Sequence, residues 1–167
     1  TAYYLIHSLA AGAAFGELDK EAARNFCRAA GAAGVRRIVY LGALGDPKSR
    51  LSPHLRSRQE TADALREAGV PVTEFRAGII IGSGSGSFEM IRYLSERIPI
   101  LPSPPLVYRR IQPIAIHNVL DYLVAALEVP ASAGRTIEIG GADVLTSGDT
   151  LLAYARERNV TKIVLGK

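Results

Sequence analysis

Short apolar runs alternate with amphipathic stretches of helical length along the whole chain. Residues 2–7 read as a first buried strand, followed by a small-residue loop over 8–16. From Glu17 to about Ala33 the apolar positions Leu18, Ala22, Phe26, Ala30 and Ala33 recur at helical spacing, with Gly34 as the cap. Residues 37–41 form a second strand. A Gly/Pro/Asp/Ser loop then leads to a helix opened by Ser52 and Pro53, running to about Ala68 and ending at Gly69. The β-branched stretch 70–81 is the third strand region, broken by Gly82–Ser87, which reads as a flexible turn. A helix over 88–98, an irregular proline-rich connector over 99–108 and an extended piece over 111–116 follow. Then come a helix over 117–127 with the apolar face Val119, Leu120, Leu123, Val124 and Leu127, and a strand over 136–139 closed by Gly140 and Gly141. A helix capped by Thr146 or Ser147 runs to Arg158, and 161–165 is a last strand. Tyr3, Tyr4, Tyr40 and Tyr93 sit in apolar runs and are expected in the core. Strand–helix alternation of this kind predicts an α/β fold with a parallel sheet.

Composition narrows the classes. The chain has 167 residues, 48% hydrophobic and 22% charged, which suits one globular domain with a real core. A single cysteine, Cys27, excludes an internal disulfide. Its helical position predicts a buried structural thiol in a reducing, cytoplasmic setting. No apolar run reaches the roughly 20 residues of a membrane span. The net charge of +4 is carried by scattered arginines without tryptophan, which argues against a nucleic-acid surface. Three dispersed histidines give no metal-ligand spacing. There is no Gly-x-Ser-x-Gly elbow and no Walker lysine. The first strand starts at once, with no methionine or leader before it, so the chain is expected to be a severed portion of a larger wound nucleotide fold.

Six blocks in order carry a resemblance: AYYLIHSL (2–9), RRIVYLGALGD (36–46), SPHLRSRQE (52–60), GVPVTEFRAGIIIGSGS (69–85), QPIAIHNVLDYLVAALE (112–128) and IEIGGADVLT (137–146). Together they resemble the C-terminal half of an atypical short-chain dehydrogenase/reductase, in the branch near the NmrA-like and epimerase-like NAD(P)-binding proteins. The resemblance implies a three-layer Rossmann-like parallel sheet that binds NAD or NADP at the carboxyl ends of its strands. It also implies that the half bearing the glycine loop is absent, so that cofactor binding is weak. Residues 1–150 then form a partial NAD(P)-binding domain. Residues 151–167 resemble a segment of universal-stress-type domains, packed on the same domain, which leaves a chimera open.

The resemblance also places the candidate site. In this superfamily the helix opened here by Pro53 carries Tyr-x-x-x-Lys, and the matching positions are His54 and Arg58. One turn apart, they share a helix face. A histidine moves protons near neutral pH, and an arginine grips a ribose or phosphate. The alternative, two solvent-facing helix residues, stays open. The family's serine position is filled by Gly42 and Ala43. His7 and Ser8, at the end of the first strand, should border a cofactor. Arg76, Ala77 and Gly78 match the segment that lies along the nicotinamide. His117 reads as structural. Three functions remain in view: an oxidoreductase or epimerase-like enzyme on an unidentified small molecule, a non-catalytic dinucleotide-sensing module, and a hybrid without native activity. An exposed sheet edge would favour self-association into a homo-oligomer.

Overall fold

The computed structural model describes residues 1–8, 15–46, 48–98, 100–101, 105–161 and 163–164. The expected loop over 8–16 and the end of the last strand fall partly outside them. The chain divides into two compact units, Thr1–Ala77 with Leu120–Ile139, and Gly78–Val119 with Gly140–Lys167.

In chain order the elements are β1 (Ala2–Tyr4), α1 (Phe15–Ala32), β2 (Ile38–Ala43), α2 (Pro53–Arg66), β3 (Val72–Ala77), β4 (Ile80–Ile81), α3 (Gly86–Arg97), β5 (Ile100–Leu101), β6 (Arg110–Ile111), β7 (Ile114–Ala115), α4 (Ile116–Glu128), β8 (Thr136–Ile139), β9 (Leu145–Thr146), α5 (Ser147–Glu157) and β10 (Ile163–Val164). The first unit is built on a sheet of order β1-β2-β3-β8, parallel throughout. Its registers, Tyr4 beside Tyr40 and Tyr40 beside Glu74, bring the carboxyl ends of β1, β2 and β3 to one rim.

Helices α1 and α2 pack on one face of this sheet. Their small residues Ala23, Cys27, Ala30, Ala62 and Ala64 let the backbones approach, and Tyr4, Ile38, Tyr40, Leu65 and Val72 fill the layer beneath. Burying each of the large apolar side chains contributes roughly 1.5–3 kcal/mol. Tyr4 meets Phe26 edge-on at 5.0 Å between centroids and Tyr40 at 6.1 Å. Cys27 is buried and unbridged; its thiol donates to the carbonyls of Arg24 and Ala64. On the opposite face, the Tyr3 hydroxyl donates to the Leu123 carbonyl of α4 at 2.8 Å, and the Phe75 and Tyr122 rings lie 5.9 Å apart. Helices on both faces of a parallel sheet make this a Rossmann-like α/β arrangement.

The second unit holds three two-stranded ladders, β4–β7 and β5–β10 parallel and β6–β9 antiparallel. Helices α3 and α5 pack around Ile91 and Leu151. Ser95 donates to the Leu151 carbonyl, and Tyr154 donates to Glu96. Thr146 caps α5 with a reciprocal capping box to Asp149.

Several expectations need correction. The buried residues of α1 are Asp19, Ala23, Cys27 and Ala30, with Phe26 packed against them; Ala30 and Phe26 lie inward as expected, but Leu18 is exposed and its neighbour Asp19 is buried. The stretch 70–81 is two strands, since β3 stops at Ala77 and β4 pairs with β7 instead of extending the main sheet. Within 99–108, Ile100–Leu101 pairs with β10. Tyr93 lies on the outer side of α3 and is exposed, because Ile91 and Ser95 take the buried side. Tyr3, on the open edge of β1, is also partly exposed. On α4, Val119, Leu123 and Ala126 are buried, while Leu120, Val124 and Leu127 face outward.

Candidate functional site

The rim formed by the carboxyl ends of β1 and β2 is where ligands bind in open parallel sheets. Its geometry starts from α2. Ser52 caps this helix, accepting from the Leu55 N–H, and Pro53 supplies a preset first turn. His54 therefore sits in the first turn with its side chain exposed, and Arg58 follows one turn later.

Arg58 turns inward. Only 7% exposed, it donates to the Ile6 carbonyl at 3.2 Å and to the Leu41 carbonyl at 2.6 Å. Its guanidinium lies 4.8 Å from the centroid of Tyr40, whose hydroxyl donates to the Arg58 carbonyl. Arg58 thus joins the ends of β1 and β2. Its remaining N–H donors are largely covered, so little of the guanidinium is open to a ribose.

Asp19, in α1, is 3% exposed, and both of its carboxylate oxygens are used. The Ser8 N–H donates to Oδ1 at 2.7 Å and the Ser57 hydroxyl to Oδ2 at 3.1 Å. His7 lies exposed between two fixed neighbours, with the Ile6 carbonyl held by Arg58 and the Ser8 N–H held by Asp19.

Partial burial pushes the His54 imidazole below its ordinary pKa; the charges of Arg58 and His7 push the same way, and Asp19 opposes them. The net shift is downward, towards the neutral form of the ring that can accept a proton. His7, Ser8, His54 and Arg58 are thus brought together at one corner of the rim.

The other expected residues lie along the ends of β2 and β3. Gly42 is buried, and a Cβ there would come within 2.7 Å of Glu74 Oε1 and 3.3 Å of the Tyr40 ring. That explains the glycine at this position: the space is taken by the Glu74 carboxylate. Glu74 is 1% exposed on a central strand. It accepts from Arg66 at 2.7 Å, from Arg76 Nε at 2.9 Å and from the Thr136 hydroxyl at 3.2 Å. Burial raises its pKa, but the hydrogen bonds and charges of Arg76 and Arg66 outweigh burial, and the net shift is downward. Arg76 is therefore held by Glu74. Ala77 is buried, and its carbonyl accepts the Leu44 N–H; Ala43, beside it in register, is half-buried. Gly78 belongs to the second unit. Among the described residues no group of three His, Cys, Asp or Glu side chains is placed to hold a metal.

Asp19, Ser57 and Glu74 are the site residues the sequence reading missed. Asp19 and Ser57 lie in helices where polar residues are expected outside, and no spacing links them. Glu74 left one signal, a lone acidic residue inside a β-branched strand with Arg76 two positions on.

No protein-family model matches this sequence. A 115-residue stretch is 28% identical to the mitochondrial NADH dehydrogenase [ubiquinone] 1 alpha subcomplex subunit 9 of Arabidopsis thaliana, covering 68% of this chain and 29% of that protein. Among solved structures, triphenylmethane reductase of Citrobacter sp., complexed with NADP(H), matches 99% of this chain and 55% of its own at 14% identity and a TM-score of 0.75. UDP-glucuronic acid 4-epimerase of Bacillus cereus, in complex with NAD, matches 88% of this chain and 54% of its own at 14% identity and a TM-score of 0.70. The chain therefore spans under a third of that curated relative and about half of these structures. Its structural neighbours are epimerase and short-chain dehydrogenase/reductase proteins, and the shared feature is the Rossmann-like α/β fold.

Proposed function

We propose that this chain is the nicotinamide-side portion of an NAD(P)-binding Rossmann unit of the atypical short-chain dehydrogenase/reductase and epimerase type, in which His54 handles a proton. The observation that carries this reading is the rim of the parallel sheet, where an exposed His54 lies near His7 and Ser8 on a frame held by Arg58. The polar groups of His7 and Ser8 suit a ribose or ring amide, which leaves His54 to the substrate. The sequence contains no glycine fingerprint to cradle a pyrophosphate, so the fit is to the nicotinamide-ribose end.

A bound nicotinamide supplies hydride transfer. The chain's own residues orient the substrate and move the proton. His54 Nδ1 or Nε2 takes it from, or returns it to, a substrate hydroxyl or carbonyl oxygen. Arg58 acts through the strand ends it holds. An oxidoreductase or epimerase-like activity on a small molecule follows from this arrangement. No helix among the described residues is long and apolar enough to cross a membrane.

A second reading, a dinucleotide-binding module without chemistry, is favoured by one observation. The position of the family's ribose-holding lysine is taken by an arginine already committed to two main-chain carbonyls. Titration of the purified chain with NADPH, followed by nicotinamide fluorescence, tests the shared premise. Weak saturable binding is expected. A fluorescence response that stays linear, equal to that of buffer, would overturn both readings. Binding without consumption of NADPH across quinones, aldehydes and sugar nucleotides would select the second.

A further inference from the structure

Two residues on either side of His7 have their backbone polar groups taken by buried side chains from different helices. Arg58 of α2 holds the Ile6 carbonyl, and Asp19 of α1 holds the Ser8 N–H. The same Asp19 carboxylate reaches across to the Ser57 hydroxyl, next to Arg58 and within a turn of His54. A carboxylate that is 3% exposed must have its acceptors satisfied, and here they are filled by two donors on two separate segments. The bond from a backbone N–H to a carboxylate is of the stronger, charge-assisted kind.

We propose that Asp19 is the positioning residue of this site: its carboxylate clamps the exit of β1 to α2, and so holds His7 and His54 on one frame. The inference rests on the reading of His54 as the proton-handling group, but its geometry stands without a cofactor. The groups acting on the His54 imidazole come from each segment of the clamp: Asp19 from α1, Arg58 from α2 and His7 from the exit of β1. Asp19 alone favours the protonated ring. A carboxylate that acted on His54 by charge alone would move its titration in Asp19→Asn but not in Ser57→Ala, which leaves the charge in place and cuts only the bond to α2.

The test is the NMR titration of the three histidines in the cofactor-free chain and in Asp19→Asn, which keeps the shape and one acceptor oxygen for the Ser8 N–H, turns the other oxygen into a donor, and removes the charge. The His54 midpoint is expected to fall below that of the unmodified chain. Ser57→Ala, a milder change, leaves the charge but frees it from α2. A smaller displacement of the His54 midpoint is expected there, with the Ser8 amide still protected from hydrogen exchange. A folded Asp19→Asn chain whose His54 titrates as in the unmodified chain would overturn the proposal. If Asp19→Asn does not fold, an unmoved His54 midpoint in Ser57→Ala would do the same. Neither readout involves NAD(P), so failure here is separate from failure of the cofactor reading.

Discussion

Replacing Glu74 with alanine is expected to lower the unfolding free energy by about 3–5 kcal/mol, the usual cost of removing one partner from a buried ion pair. The reason lies in what the carboxylate holds. Arg66 reaches it from α2, Arg76 from its own strand, and Thr136 from the neighbouring strand β8. Removing it leaves Arg76, on a central strand, without its partner, and opens a void against Gly42, whose missing Cβ makes room for that carboxylate. Chemical denaturation of the two proteins measures the loss. The pH dependence has a definite sign. The folded-state pKa of Glu74 is depressed, so its contribution is fully present above the ordinary carboxylate value and is lost as pH falls through the folded value. Glu74→Gln should therefore flatten the acid limb of the stability profile. A loss under about 1 kcal/mol, typical of an exposed ion pair, would mean that the triad is not closed in solution.

His54→Ala should reduce kcat by about 10²–10⁴-fold, the range contributed by a positioned acid–base group, while leaving cofactor affinity unchanged. His54 is exposed and makes none of the bonds that hold the rim together, so the substitution removes a proton carrier and leaves the frame. Its pKa is pushed below the ordinary histidine value, first by partial burial and then by Arg58 and His7. If His54 acts as a base, kcat should rise through a midpoint below about 6.5 and then stay level towards neutral pH. Unchanged turnover in His54→Ala would remove it from the mechanism.

Much of the fold was legible because local chemistry and tertiary packing agree. Ser52, Pro53 and Gly69 bracket α2, and the strand over 136–139 lies between Gly134, with φ of 72°, and the Gly140–Gly141 pair. Strand–helix alternation forced a parallel sheet, and β1, β2 and β3 do run side by side in one direction. The errors came where polar residues are buried. An apolar-periodicity argument puts Leu18 inside and Asp19 outside; the structure reverses them because the Ser8 N–H and the Ser57 hydroxyl satisfy the carboxylate. Arg58 escaped for the same reason: the carbonyls that compensate it come from the ends of other strands and leave no trace in local spacing. Glu74 left only Arg76, two positions on, as a local sign of its ion pairs. His54 and Arg58 do share the helix opened by Pro53 that the resemblance pointed to. The resemblance did not reveal that Arg58 turns towards the strand ends, which depends on the Ile6 and Leu41 carbonyls being within its reach.

The claim that matters most is that the exit of β1 and the first turn of α2 receive the nicotinamide-ribose end of a dinucleotide. Heteronuclear NMR of the chain with nicotinamide mononucleotide, set against adenosine monophosphate, tests it directly. Saturable shifts confined to His7, Ser8, His54 and their neighbours are expected with the nicotinamide nucleotide, and none there with the adenosine one. Shifts of equal size with both nucleotides, or no shift at these residues with the nicotinamide nucleotide, would contradict it.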